Sequence, residues 1–451
     1  MLPPGPRTPA FWQTYRYLSE PRAYSREVVA RYGGASRFHA LNGDGILISD
    51  PELAREVFAA DPETFDAPQV LGDLFGSGSL LATAGTPHRR QRKLLNPRFH
   101  GSSIKAFVAT IHRVVHEHLG AFLRAADTSQ VVVMSEIAQS LTLDIILETV
   151  FGDNPNMDRA EGRAVLVGLA DALSPSFVFT ALLRTPMFPP WRRFVERRAT
   201  FDAWVDRIVA ERRTRASLGA DVLGVMLEAR YDDGSALADA EIRDQLWTIL
   251  AAGHETTAVA MAWGVYWLVR EPAVLARLRA EVDALGDDPA PDAIARLPYL
   301  DAIVCETLRV EPVVTDVSRK CRLPLRVGPW TVPPGKLAVV NIGAILDDAS
   351  LFPEPERFLP ERFLERSFGA TQFLPFGGGS KRCLGAAFAQ AELAIALATI
   401  ASKWDLKLAS DTPERSKRRN ITMGPSTGVR VKAMGARGAA IVRTSHLSSL
   451  T

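Results

Sequence analysis

From Asp239 to Arg270 the chain runs for 32 residues without a proline, apolar positions recur at helical spacing, and Pro272 ends the pattern. Asp239 is placed to cap such a helix. At 1.5 Å per residue it would span roughly 48 Å, enough to cross a whole domain, so everything else must be built around it. Helical spacing also marks 102–126, 131–152, 190–213, 273–284 and 300–310, and 384–404 reads as an apolar helix. Strand-like runs are confined to 325–327, 330–332 and 337–341, separated by Gly and Pro. No repeat and no low-complexity linker divides the 451 residues. The fold class expected is therefore mainly α with a minor β region. One large domain covers 1–437, and a loose tail, 438–451, follows.

Charge narrows the function. With 53 basic and 51 acidic residues the net charge is +2, too small for a dedicated nucleic-acid binder. Three cysteines without paired spacing argue for reduced thiols in a cytoplasmic protein. The opening MLPPGPRTPAFWQTYRYL has prolines and arginines where a leader or anchor needs an apolar run, and no stretch reaches membrane-spanning length. The expectation is a soluble monomer without a membrane anchor.

Chemistry concentrates at Phe376-Gly377-Gly378-Gly379-Ser380-Lys381-Arg382-Cys383-Leu384-Gly385, which opens onto a helix. Successive glycines permit positive φ and let the backbone approach something flat or bulky. Cys383 stands at a helix start beside two cations, a setting that favours the thiolate. Three uses are open: a nucleophile, which needs a histidine base; a phosphate loop, which would end in Lys-Ser/Thr; and a single thiolate holding haem iron.

This segment resembles the cysteine loop of the cytochrome P-450 family of haem-thiolate monooxygenases: Phe, two residues, Gly, one, a basic residue, one, Cys, one, Gly. The family usually has Arg at the basic position, where this chain has Lys381, a point charge without the guanidinium fork. Other motifs follow in the family's order. His88-Arg89-Arg90-Gln91-Arg92, by itself a solvated basic helix, resembles the helix that binds the haem propionates through His88 and Arg92. Ala252-Gly253-His254-Glu255-Thr256-Thr257 resembles the oxygen-activating stretch of the family's long central helix over the haem. There Glu255 and Thr256 would deliver protons, and two small residues would leave room for a diatomic ligand. A zinc reading of His254-Glu255 fails because Ala258 stands where HExxH needs its second histidine. Glu306, Arg309 and Arg362 match the buried cluster that supports the cysteine loop, and Arg319 a further propionate ligand.

The resemblance runs from about Pro4 to Lys432. It implies haem b with Cys383 as axial ligand, and Phe376, Lys381 and Gly385 among the cofactor contacts. It implies a monooxygenase that inserts one atom of O2 into an apolar small molecule such as a fatty acid, terpenoid or steroid. Electrons would come from a separate ferredoxin and ferredoxin reductase, or from a flavodoxin-type donor. Val70, Leu74, Phe75, Phe177, Trp247, Leu250, Ala251, Val313 and Val314 are the residues expected to line the substrate pocket. The cysteine loop and the basic early helix, with Arg89, Arg90, Arg92, Lys93, Lys381 and Arg382, are expected to form a cationic patch for an acidic donor, and Arg89, Arg90 and Lys93 need not face the propionates.

Overall fold

The computed structural model describes residues 2–99, 102–125, 131–152, 154, 157–172, 184–185, 187–286, 289–419 and 421–437. The proposed tail and Phe177 lie outside them. The central helix is unbroken from Asp239 to Arg270. It begins one residue earlier than the expected cap allows: Ala238 is the N-cap, and its N–H donates to Glu241 Oε2 at 3.0 Å. From Ala258 to Leu268 it is buried on nearly every side, so it runs through the core instead of lying on it. The helices Met134–Phe151, Ala386–Lys403 and Pro298–Val310 pack around it. Trp247, Trp263, Phe151 and Phe201 are its largest buried neighbours or members.

The β part is small and peripheral. A four-stranded sheet has the order β1 (Ala35–Ala40), β2 (Gly43–Ile48), β7 (Leu337–Val340), β4 (Val317–Lys320). The β2–β7 pair is parallel and the others antiparallel. β5 (Leu325–Val327) and β6 (Trp330–Val332) form a hairpin, as do β9 (Ser416–Arg419) and β10 (Thr422–Pro425). Val131–Val133, expected to start a helix, is instead strand β3, paired with β11 (Arg430–Ala436) beside β8 (Trp404–Leu408). Three consecutive β-branched residues favour the extended chain, and the helix starts at Met134.

Glu306, Arg309 and Arg362 meet inside the protein. Glu306 accepts from Arg309 Nε at 2.6 Å and Nη2 at 2.8 Å, from Arg362 Nε at 3.1 Å and from Leu359 N–H at 2.8 Å. Arg309 then donates to the carbonyls of Leu346, Pro355 and Arg357, and Arg362 to that of Pro353. Two guanidiniums thus tie an irregular stretch with few backbone partners of its own to the helix Pro298–Val310. Phe363 and Phe373, ring centroids 4.8 Å apart, carry that order towards the cysteine loop. Removing the carboxylate leaves two buried cations without it, a loss of about 3–5 kcal/mol. Glu306→Leu should therefore lower the urea midpoint strongly. Arg357→Ala, which breaks the exposed pair to Glu354, should cost less than about 1 kcal/mol in the same measurement.

Candidate functional site

A cavity of about 820 Å³ lies between the central helix and the cysteine loop. Ile249, Ala252, Gly253, Thr256, Thr257 and Ala260 face it, three and four residues apart along one side of the helix. Phe376, Cys383, Leu384 and Phe388 form the opposite wall. Gly253 owes its size to the neighbouring helix as well, since a Cβ there would come within 3.0 Å of Ile146 Cδ1.

The loop reaches Cys383 through Gly377 and Gly379, both with φ near +66° (66° and 67°). What its glycines approach is Phe58: a Cβ on Gly378 would enter that ring, and one on Gly379 would lie 2.5 Å from the Phe58 carbonyl. The flat partner of these glycines is thus a protein side chain. The N–H of Cys383 donates to Phe376 O at 3.0 Å, and a short 3₁₀ turn, Gly379–Lys381, precedes the cysteine. The helix begins at Ala386, three residues after Cys383.

Cys383 lines the cavity and is exposed there. Burial raises its pKa, against the pull of the Gly385 N–H, Arg382 and Arg92. The cations and the backbone N–H thus favour the thiolate as expected, and burial opposes them. Such a thiol gives up its proton to a metal that takes the sulfur lone pair.

One side of the cavity is strongly electropositive. His88, Arg92, Arg319 and Lys381 all line it. Burial, reinforced by Lys381, Arg92 and Arg319, pushes His88 down to about 4. Burial lowers Arg319 to about 10, and burial with Arg319 lowers Lys381 to about 8. Arg92 is also lowered by burial. None of the four pairs with a carboxylate among the described residues. Their recorded donors go to backbone carbonyls: Arg92 to Ser380, Arg319 to Ser318, Lys381 to Thr83 at 2.5 Å and Leu81 at 3.4 Å. Buried positive charge of this kind calls for an anionic partner. A soft sulfur on one wall and cations at the rim fit a flat, iron-bearing group with two carboxylates.

On the central helix Thr256 faces the cavity and donates to Ala252 O at 2.6 Å. Glu255 does not line the cavity. Its Oε1 lies 3.2 Å from Thr422 Oγ1 on the β9–β10 hairpin. His254 is held at 2.9 Å by Thr142, and burial lowers its pKa to about 4.

Of the expected pocket residues, Val70, Val313 and Val314 line the cavity. Leu74, Phe75, Trp247, Leu250 and Ala251 do not; the first four pack in the core, with Phe75 stacked on Trp247 and Trp247 Nε1 donating to Leu74 O. Residues 247, 250 and 251 sit about 100–200° around the helix from the cavity-facing stripe. Gln245, Thr248 and Ile249 line it in their place, a phase that helical spacing from Thr256 would have revealed. Within the expected cationic patch, three residues have carboxylate neighbours. Arg89 lies 3.6 Å from Glu63, Arg90 2.7 Å from Asp233 and Lys93 2.8 Å from Asp232, so each charge is matched.

Comparison with known proteins agrees with this geometry. The family model described as Cytochrome P450 matches residues 3–431. A Mycobacterium tuberculosis protein bearing the name cytochrome P450 135B1 is 33% identical over 446 residues, covering 97% of this chain and 92% of the relative. Cytochrome P450 137 of the same organism is 34% identical, covering 96% and 92%. Among solved structures, the cytochrome P450DA heme domain superposes with a TM-score of 0.84 at 25% identity, covering 96% of this chain and 97% of the other. The retinoic acid-bound cyanobacterial CYP120A1 has the same fold, with TM-score 0.84 at 24% identity and 96% and 99% coverage. Among the described residues no helix is long and apolar enough to cross a membrane.

The depressed pKa of His254 has a consequence for stability. Its folded value lies below that of an unfolded histidine, so the unfolded chain binds more protons between about pH 6.5 and 4. Stability contributed by the neutral ring is full above that window and lost as pH falls through it. His254→Gln should therefore flatten the decline in urea-unfolding free energy from pH 6.5 to 4, by on the order of 2 kcal/mol.

Proposed function

The chain belongs to the cytochrome P450 family, whose members are haem-thiolate monooxygenases, and from that premise we propose that Cys383 is the axial ligand and Thr256 and Glu255 the proton-delivery residues. One observation carries the proposal: Cys383 and the stripe through Thr256 line the same cavity, together with cations that have no carboxylate partner among the described residues. His88, Arg92, Arg319 and Lys381 would hold the two propionates, three of them as charged donors and His88 as a neutral one. When bound, haem supplies O2 binding and cleavage at iron, so that one oxygen atom enters the substrate and the other leaves as water.

The chain's own residues do the rest. Thr256 commits its hydrogen to Ala252 O, which leaves oxygen lone pairs facing the cavity. There it would accept a hydrogen bond and hold a proton donor at the cavity face of the helix. Glu255, one residue earlier and turned towards the hairpin, replenishes protons from outside the cavity. Leu71, Leu80, Leu81, Ile249, Val313 and Val314 exclude water from the substrate side and favour an apolar substrate of the fatty acid, terpenoid or steroid type. Gln69, Gln245 and Thr248 offer few polar anchor points. A separate ferredoxin-type protein would supply electrons. Exposed Arg382, next to the ligand and without a carboxylate partner among the described residues, is the charge best placed to meet an acidic donor.

Reduced protein under carbon monoxide should show the strongly red-shifted Soret band of a haem-thiolate. Cys383→His should abolish that band, and Cys305→Ala and Cys321→Ala should retain it. Thr256→Ala should keep the band and consume reductant, yet release a larger share of electrons as hydrogen peroxide. General acid–base transfer is worth typically about 100- to 10,000-fold, so product formation should fall within that range. Unchanged product per reductant would remove Thr256 from the proton path.

A further inference from the structure

We propose that Thr422 is a positioning residue for Glu255, serving as a partner that fits the carboxyl in both its protonated and its ionised form; this rests on the reading of Glu255 as the proton-delivering acid. Thr422 is 1% exposed, and its hydroxyl has two acceptors in reach, Arg419 O at 2.8 Å and Glu255 Oε1 at 3.2 Å. It has one hydrogen. When Glu255 is ionised, Thr422 donates to the carboxylate. When Glu255 is protonated, the carboxyl donates to Thr422 Oγ1, which turns its hydrogen to Arg419 O. Both states are hydrogen-bonded, and rotation about a single C–O bond connects them.

A residue that gives up a proton and regains it in every cycle needs such a partner. Lysine or arginine in that place would donate only and hold Glu255 as the anion. A carbonyl would accept only and hold it as the acid. When Glu255 gives up its proton the carboxylate is stabilised by Thr422, and a proton from solvent restores the acid.

The hairpin is fixed well enough to position the hydroxyl. Met423 N–H donates to Val313 O at 2.8 Å, and Trp263 Nε1 donates to Met423 O at 3.3 Å. Its tip reaches solvent, since Ile421 is 58% exposed. Charged and titratable groups on the neighbouring elements include Arg418 and Arg419 on the hairpin, with Arg418 5.6 Å from the Tyr17 ring; Asp316, which accepts from Tyr17; and His254, which faces Thr142 and is neutral near pH 7.

The test is infrared difference spectroscopy of the haem-loaded protein between pH 4 and 9. The Glu255 carboxyl band is isolated by subtracting the Glu255→Gln spectrum. Oxygen-consuming turnover with a surrogate ferredoxin, its reductase and NADPH is measured alongside, without organic substrate. The proposal expects the band to shift in Thr422→Val and to return in Thr422→Ser. Peroxide released per oxygen consumed should rise about fivefold in Thr422→Val, the effect of one lost hydrogen bond, and stay near wild type in Thr422→Ser. Thr422→Val should add nothing to Glu255→Gln. An unshifted band, or a peroxide increase that adds to that of Glu255→Gln, overturns the role of Thr422 while leaving Glu255 in place. If Glu255→Gln itself leaves the peroxide yield unchanged, both that reading and this one fall.

Discussion

Half-buried positive charge on one side of the cavity, without a carboxylate partner among the described residues, is the constraint on which this site depends. Most cations here have partners: Arg309 and Arg362 share Glu306, and Arg212 holds Asp221 at 2.7 Å. Even the exposed row Arg89, Arg90 and Lys93 is matched. Arg92, Arg319 and Lys381 differ. They converge with His88 on one side of a cavity, and burial depresses the proton affinity of each. An anion bound on that side would give these cations the partner they lack. The cavity's opposing walls then explain themselves, since a dianionic group with iron at its centre also needs the sulfur that Cys383 presents.

The central helix divides its surface between two tasks. One stripe, from Ile249 to Ala260, lines the cavity with small and hydroxyl-bearing residues. The rest, carrying Trp247, Leu250 and Trp263, is packed as tightly as any core helix. Because the helix is anchored along its whole length, the position of Thr256 relative to Cys383 is a property of the entire core. The Glu306 cluster does the same for the other wall, where the chain has little secondary structure to hold it.

Much of this was legible beforehand, for physical reasons. Long-period patterning with proline stops marks the helices, and the cysteine loop combines glycines, cations and a helix start in ten residues. Glu306, Arg309 and Arg362 were recognisable only through the family resemblance, because Glu and Arg three residues apart usually form a surface pair. What escaped depends on contacts distant in sequence. Trp247, Leu250 and Ala251 were placed on the cavity because they are apolar and near Thr256, although helical phase turns them away. The partners of Arg90 and Lys93, Asp233 and Asp232, lie some 140 residues downstream. Thr422 carries no local signal: it is one threonine in a short hairpin, and its meaning comes from Glu255 across the fold.

The central claim is that the rim cations await two carboxylates on the group that Cys383 binds. It is tested most directly by titrating the haem-free chain with haem and, in parallel, with haem dimethyl ester, following the Soret absorbance. Charge-assisted hydrogen bonds contribute about 1.5–3 kcal/mol each, so loss of both carboxylate charges should weaken binding by at least about 100-fold. Equal affinity for haem and its ester would contradict the account, because the four rim residues would then have no anion to hold.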